Sequence, residues 1–196
     1  KFVGSPLPQG RIPYMKVVFV DRDGVINEDR ADYVKDWSEF RPIPGSLAAL
    51  KRLTDHGYAV IVITNQSVIN RRMVTPSGLE TIHHNMTAMV KAHGGAITAI
   101  YYCPHRPEDG CTCRKPEPGL IRQAQADFGL TLSETYMIGD SLKDLECARN
   151  AGCGTRILVR TGHGRETEQL CRETGIKPDH VADDLAAAVT WLLGVP

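Results

Sequence analysis

Val17-Val18-Phe19-Val20-Asp21-Arg22-Asp23-Gly24 decides how this chain is read, because four apolar residues run straight into two carboxylates. The apolar run predicts a short buried strand, and the acids then sit at its carboxyl end. Asp21 and Asp23 are open to two readings. One is an acidic turn that caps the next segment. The other is a nucleophilic carboxylate beside a second one that shuttles protons, a pair suited to hydrolysis of a phosphate ester through an acyl-phosphate.

Outward from this stretch, short apolar runs alternate with segments of helical period. Strands are predicted at Lys16–Val20, 59–63, 97–102, 135–138 and 156–159. Residues 59–63 are apolar throughout, as a central strand covered on both faces requires. Leu47, Leu50 and Leu53 share one helical face before Gly57, and Thr75-Pro76 opens a helix whose apolar face carries Leu79, Ile82, Met86, Met89 and Val90. Further helices are predicted over 117–128, 142–150, 166–173 and 184–193. The alternation predicts a Rossmann-like, doubly wound α/β fold with a mainly parallel sheet and helices on both faces.

The 196 residues suffice for one medium domain with its own core. Residues 15–196 are read as that domain. Residues 1–14, rich in glycine and proline and free of acidic side chains, are read as an N-terminal extension or expression remnant with little protection from proteolysis. The 23 basic and 23 acidic side chains balance, so nothing in the overall charge favours nucleic acid or an anionic membrane. No apolar run reaches the roughly 20 residues of a membrane span. A cytoplasmic monomer acting on a small ligand is the expectation.

In open parallel sheets, ligands bind beyond the carboxyl ends of the strands. Asp21 follows the first strand, Thr64-Asn65-Gln66-Ser67 the second, and Gly139-Asp140-Ser141 follows Tyr136-Met137-Ile138, so these groups share one rim. A phosphate dianion repels a carboxylate nucleophile, and the site must therefore bring positive charge to the phosphoryl oxygens. Magnesium accepts oxygen ligands such as Asp21, Asp140 and the backbone carbonyl at Asp23. Lys115 is the fixed cation of choice, and Thr64 offers a hydroxyl. Asp144, four residues beyond Asp140, is read as orienting a metal-bound water or as a first-turn helix acid.

Cys103, His105, Cys111 and Cys113 place three thiols and one imidazole within eleven residues, a set suited to tetrahedral structural zinc in a loop spanning 103–113. The alternative is four unrelated residues in a polar loop. All four positions would be filled by protein, so such a metal would be mechanical, holding the adjacent Arg114-Lys115. Cys147, Cys153 and Cys171 read as buried or spare thiols. His56, His83, His84, His93, His163 and His180 show no partner pattern.

Asp21-Arg22-Asp23-Gly24, Thr64-Asn65-Gln66-Ser67, Lys115-Pro116 and Gly139-Asp140 with Asp144 resemble, in order, the four motifs of the haloacid-dehalogenase-like phosphohydrolases. The resemblance implies Asp21 as nucleophile, Asp23 as general acid and base, Thr64 and Lys115 as phosphoryl clamps, and a magnesium site at Asp21, Asp23 and Asp140. The intervals 22–58 and 65–96 leave room for a loop and one helix each, so no large cap domain is expected. Cys103-Pro104-His105-Arg106-Pro107 with Cys111-Thr112-Cys113-Arg114-Lys115-Pro116 is similar to the zinc-containing branch of heptose-bisphosphate and histidinol-phosphate phosphatases. That branch implies a magnesium-dependent phosphatase removing the 7-phosphate of D-glycero-D-manno-heptose 1,7-bisphosphate, made for cell-envelope polysaccharide. A histidinol-phosphate or other sugar-phosphate phosphatase, and an inactive zinc-stabilised binding module, are the alternatives. Arg114, Asn65, Gln66 and Ser67 are the expected substrate contacts, with the loop at 29–33 approaching the sugar.

Two departures from that branch stand out. Val68-Ile69-Asn70-Arg71-Arg72 replaces a segment with two glycines, and Val68 and Arg72 resist positive φ, so a changed loop shape is expected. Ser141 stands where a lysine is often found.

Overall fold

The computed structural model describes residues 2–3 and 16–194. The expectation for residues 1–14 otherwise lies outside the described residues. Seven strands form one sheet: β1 (Phe2–Val3), β2 (Lys16–Val20), β3 (Tyr58–Asn65), β4 (Ala99–Cys103), β5 (Tyr136–Gly139), β6 (Thr155–Val159) and β7 (His180–Ala182). Their spatial order is β1-β4-β3-β2-β5-β6-β7. Strands β2 to β7 run parallel, while β1 pairs antiparallel with β4, Phe2 opposite Tyr101. The N-terminal segment, read from sequence as lying outside the fold, therefore gives two residues to the sheet edge.

The parallel strands leave β2 in opposite directions, β3 and β4 to one side and β5 to β7 to the other. The carboxyl end of β2 is thus the switch point, where the crevice between diverging connections opens. Period-two alternation sends Val18 and Val20 to one face and Val17 and Phe19 to the other. The first face is covered by α1 (Ser46–Asp55), α2 (Pro76–Ala92) and α6 (Leu185–Leu193), through Leu50, Ile82, Met86 and Val189. The second is covered by α3 (Gly119–Phe128) and α4 (Leu142–Ala151), through Leu120, Ile121, Ala124 and Ala148. α5 (Gly164–Thr174) packs Cys171 against Leu145 and Leu158. Phe19 is fully buried, and truncating it to Ala would cost about 3 to 5 kcal/mol.

Local signals set the boundaries. Thr75 Oγ1 accepts from the Gly78 N–H and Pro76 fills the first turn of α2, as its sequence predicts. Asp184 accepts from the Ala187 N–H at the start of α6. α3 begins at Gly119, two residues later than the helical period suggests, because Arg114 to Gly119 form a turn in which Glu117 N–H donates to Arg114 O and Gly119 N–H to Thr112 O. β3 runs on past Ile63, bringing Thr64 and Asn65 into the sheet. No cap domain occurs among the described residues: the β2 to α1 connection holds a single 3₁₀ turn at Trp37–Glu39.

Candidate active site

Asp21 continues β2, its N–H donating to Ile138 O at 3.0 Å, so the sheet itself fixes the carboxylate. Asp140 follows β5 and Asp144 lies in the first turn of α4, where Ser141 and Asp144 form a capping box. One oxygen from each of Asp21, Asp140 and Asp144 lies within 4.8 Å of the others. All three are buried. Lys115 enters from the zinc-type loop, its Nζ 2.7 Å from Asp21 Oδ2 and 2.6 Å from Asp144 Oδ1, and it donates to Ile63 O at 2.9 Å.

Three carboxylates against one ammonium leave negative charge uncompensated. Burial, reinforced by Asp144 and Asp140, holds Asp21 well above the usual carboxylate range despite its Lys115 partner. Burial and the Asp144 charge push Asp140 up to about 7, although the His163 N–H donates to its Oδ2. Burial opposes the charge on Lys115, but Asp144 and Asp21 outweigh it and the ammonium stays protonated. An all-oxygen donor set with unmet demand for positive charge fits a hard divalent cation. The Asp140 carboxylate is also sterically fixed: a Cβ on Gly24 would lie 2.2 Å from its Oδ2 and one on Gly162 2.1 Å. Both glycines have positive φ, so neither position accepts a side chain.

Asp23 faces other partners. Arg22 Nε and Nη2 donate to its Oδ1 at 3.1 and 2.8 Å, Nη2 lies 2.8 Å from Oδ2, and Asn27 Nδ2 and Gln66 Nε2 donate at 2.9 and 2.8 Å. Burial would raise Asp23, but the Arg22 charge and these donors hold it below the usual range. Its carboxylate is not in the three-acid group. Of the residues expected at the magnesium site, the Asp21 and Asp140 carboxylates converge and the Asp144 carboxylate joins them; Asp23 was expected to offer its backbone carbonyl, and its side chain turns to the Arg22 fork.

Cys103, His105, Cys111 and Cys113 also converge. Their sulfurs lie 3.2 to 3.6 Å apart, and His105 Nδ1 is 3.5 Å from Cys103 Sγ and 3.3 Å from Cys113 Sγ. Tetrahedral zinc with Zn–S bonds of about 2.3 Å needs sulfurs about 3.8 Å apart, so the set fits after a small expansion.

Comparison with known proteins gives this rim its relatives. Residues 112–188 match the family model described as HAD-hydrolase-like. The D-glycero-beta-D-manno-heptose-1,7-bisphosphate 7-phosphatase of Pseudomonas aeruginosa is 44% identical over 177 residues, covering 90% of this chain and 97% of the relative. That of Neisseria meningitidis serogroup B is 46% identical over 153 residues, 78% of this chain and 81% of the relative. The chain belongs to the heptose-bisphosphate phosphatase family of HAD-like hydrolases. A solved structure, D,D-heptose 1,7-bisphosphate phosphatase from B. bronchiseptica complexed with magnesium and phosphate, is 41% identical with a TM-score of 0.86, covering 92% of this chain and 99% of that one.

Within this heptose-bisphosphate phosphatase frame, the residues expected to contact substrate make contacts inside the protein. Asn65 Nδ2 donates to Lys115 O at 3.2 Å and its Oδ1 accepts from the Lys115 N–H at 3.1 Å. Gln66 Nε2 bridges Thr64 Oγ1 and Asp23 Oδ2, both at 2.8 Å. Ser67 Oγ accepts from Arg71 Nε, and Arg114 Nη1 donates to His105 O at 3.0 Å. Thr64 is buried at the end of β3. Arg72 takes φ of 58°, against the expectation that it would resist positive φ, whereas Val68 is not among the positive-φ residues. Ile69 O and Val68 O accept from the N–H groups of Arg72 and Met73, which holds the turn.

Sequence reading passed over three features: the glycine cradle at Gly24 and Gly162, the fork of Arg22 on Asp23, and the His83 ring behind it. Arg22, only 1% exposed, stood between two acids, and His83 stood on the apolar face of α2 beside Ile82 and Met86. A charged or polar group on a buried face was the available signal.

Proposed function

We propose that this chain removes the 7-phosphate from D-glycero-D-manno-heptose 1,7-bisphosphate through an aspartyl-phosphate on Asp21. The observation that carries the reading is the buried Asp21 carboxylate, tied to Lys115 at 2.7 Å and crowded by two further acids at the switch point of the sheet. The names of five relatives at 41 to 46% identity support the substrate, and all five specify the beta anomer.

Asp21 and Asp140, with Asp144 at hand, would hold magnesium, which when bound neutralises phosphoryl oxygens. Asp21 attacks phosphorus as the bond to the sugar oxygen breaks. Asp23 must first take up a proton against the pull of the Arg22 fork, and it then passes that proton to the departing oxygen. Asp23 then takes a proton from water as that water attacks phosphorus, the bond to Asp21 breaks, and inorganic phosphate leaves. Lys115 and the Thr64 hydroxyl are assigned to phosphoryl oxygens, Lys115 by exchanging part of its ion pair with Asp21. Asn65 and Gln66 act one step back, fixing Lys115 and Thr64. Arg114, partly exposed and donating to the His105 carbonyl, is assigned to the substrate end remote from the reacting phosphate. Cys103, His105, Cys111 and Cys113 would hold zinc in a closed set that stiffens the loop carrying Arg114 and Lys115. The products and substrate are small and polar, and no helix among the described residues is long and apolar enough to cross a membrane.

Phosphate release measured over a panel of sugar phosphates and histidinol phosphate tests the assignment. The heptose bisphosphate should give the highest kcat/KM; a clear preference for histidinol phosphate, or no turnover of any member, contradicts it.

A further inference from the structure

His83 is fully buried in the middle of α2, and its ring packs edge-on to Tyr102 with centroids 5.7 Å apart. Its Nε2 lies 3.2 Å from Arg22 Nη1. A guanidinium carries donors only, so Nε2 must accept and the imidazole proton must sit on Nδ1. Nδ1 is buried with no hydrogen-bond partner among the described residues. The chain thus leaves one donor unpaired in its interior while supplying an acceptor to Arg22. Burial and the adjacent Arg22 charge push His83 down to about 3, consistent with a ring that stays neutral.

Arg22 divides its donors by edge. Nε and Nη2 form the fork on Asp23, and Nη1 goes to His83. Rotation of the guanidinium about its own axis would slide the fork off Asp23, and the His83 acceptor at the opposite corner blocks that rotation. We infer that His83 is a positioning residue for the reaction, acting through Arg22 to hold the Asp23 carboxylate in line with the departing sugar oxygen. This rests on the reading of Asp23 as the proton shuttle.

Replacing His83 separates this role from a merely structural one. His83→Leu removes the acceptor at similar bulk, whereas His83→Gln can present Oε1 near the place of Nε2. The readout is kcat/KM, which follows formation of the aspartyl-phosphate, on the heptose bisphosphate and on p-nitrophenyl phosphate, whose leaving group needs no proton. His83→Leu should lose about ten- to a hundredfold on the sugar substrate, the scale of a slightly misplaced catalytic group, and less than about threefold on the aryl one. His83→Gln should recover most of the loss. Equal losses on both substrates, no loss on either, or a Gln variant as impaired as Leu overturns the inference. Asp23→Asn run alongside distinguishes the levels: if it keeps full sugar-phosphate turnover, the proton-shuttle reading falls and this inference with it. If it is inactive while His83→Leu is unimpaired, only the His83 role falls. Should the Leu variant fail to fold, nitrogen NMR of the unmodified protein decides. A proton on Nδ1 and a bare Nε2 from about pH 5 to 8 are expected, and a proton on Nε2 overturns the inference.

Discussion

Asn65 and Lys115, separated by 50 positions in the chain, exchange two hydrogen bonds: the Asn65 amide donates to the Lys115 carbonyl and accepts from its N–H. The end of β3 thereby fixes the backbone of the loop that delivers the site's ammonium group. We propose on this arrangement that Asn65 supports Lys115 rather than contacting substrate, and the two roles differ kinetically. Asn65→Ala should lower kcat about tenfold or more with KM changed less than about threefold, as expected when a transition-state contact is displaced. A large rise in KM at constant kcat would return Asn65 to the substrate.

The crowding of Asp21, Asp140 and Asp144 ties stability to pH and metal. Asp140 is raised from its ordinary 3.8 to about 7, so between those values the metal-free native state keeps a proton that the unfolded chain has lost. A group raised in this way favours the native state below about pH 4, and that contribution fades as pH climbs through about 7. Magnesium relieves the repulsion of the ionised form. The rise in Tm on adding magnesium should be small near about pH 5 and larger near about pH 8. A rise independent of pH, or largest in acid, would contradict this.

Much of the site was legible before any coordinates. The strand run into Asp21, the turn after Thr64, and Gly139-Asp140 each ended an apolar segment, and strand ends in a parallel sheet share a rim. The four zinc-type residues were close in sequence, so local spacing exposed them. What stayed hidden depends on long-range contact. Asn65 meets Lys115, His83 meets Arg22 and Gly162 meets Asp140 only through the fold. β7 escaped notice because His180–Ala182 is short and only its last residue is buried, giving little periodicity to read. Phe2–Val3 likewise offers only two residues.

Arg72 shows a local conflict that the fold tolerates. Its φ of 58° is disfavoured for a residue with a Cβ by about 1 to 2 kcal/mol, while glycine would lose more entropy on folding. Arg72→Gly should stabilise the protein by about 0.5 to 1 kcal/mol, seen as a modest rise in Tm. Arg72 is exposed, and turnover should change less than about twofold. A lower Tm would contradict the strain.

Cys113 sits one residue before Arg114 and two before Lys115, and within 3.6 Å of two further sulfurs. If the cluster is the closed zinc set proposed, metal analysis should find about one zinc per chain. Cys113→Ser should lose that zinc, lower Tm by several degrees and reduce kcat by loosening the loop of Lys115. Full zinc content and activity in the variant would remove the cluster's mechanical role.

In the proposed reaction Asp21 carries the phosphoryl group. Acid quench of a single turnover with substrate radiolabelled at the transferable phosphate, followed by peptide mapping, tests it directly. Label on the peptide holding Asp21, absent in an Asp21→Asn variant that is folded and inactive, is the predicted result. Label on another residue, or turnover surviving in Asp21→Asn, would contradict it.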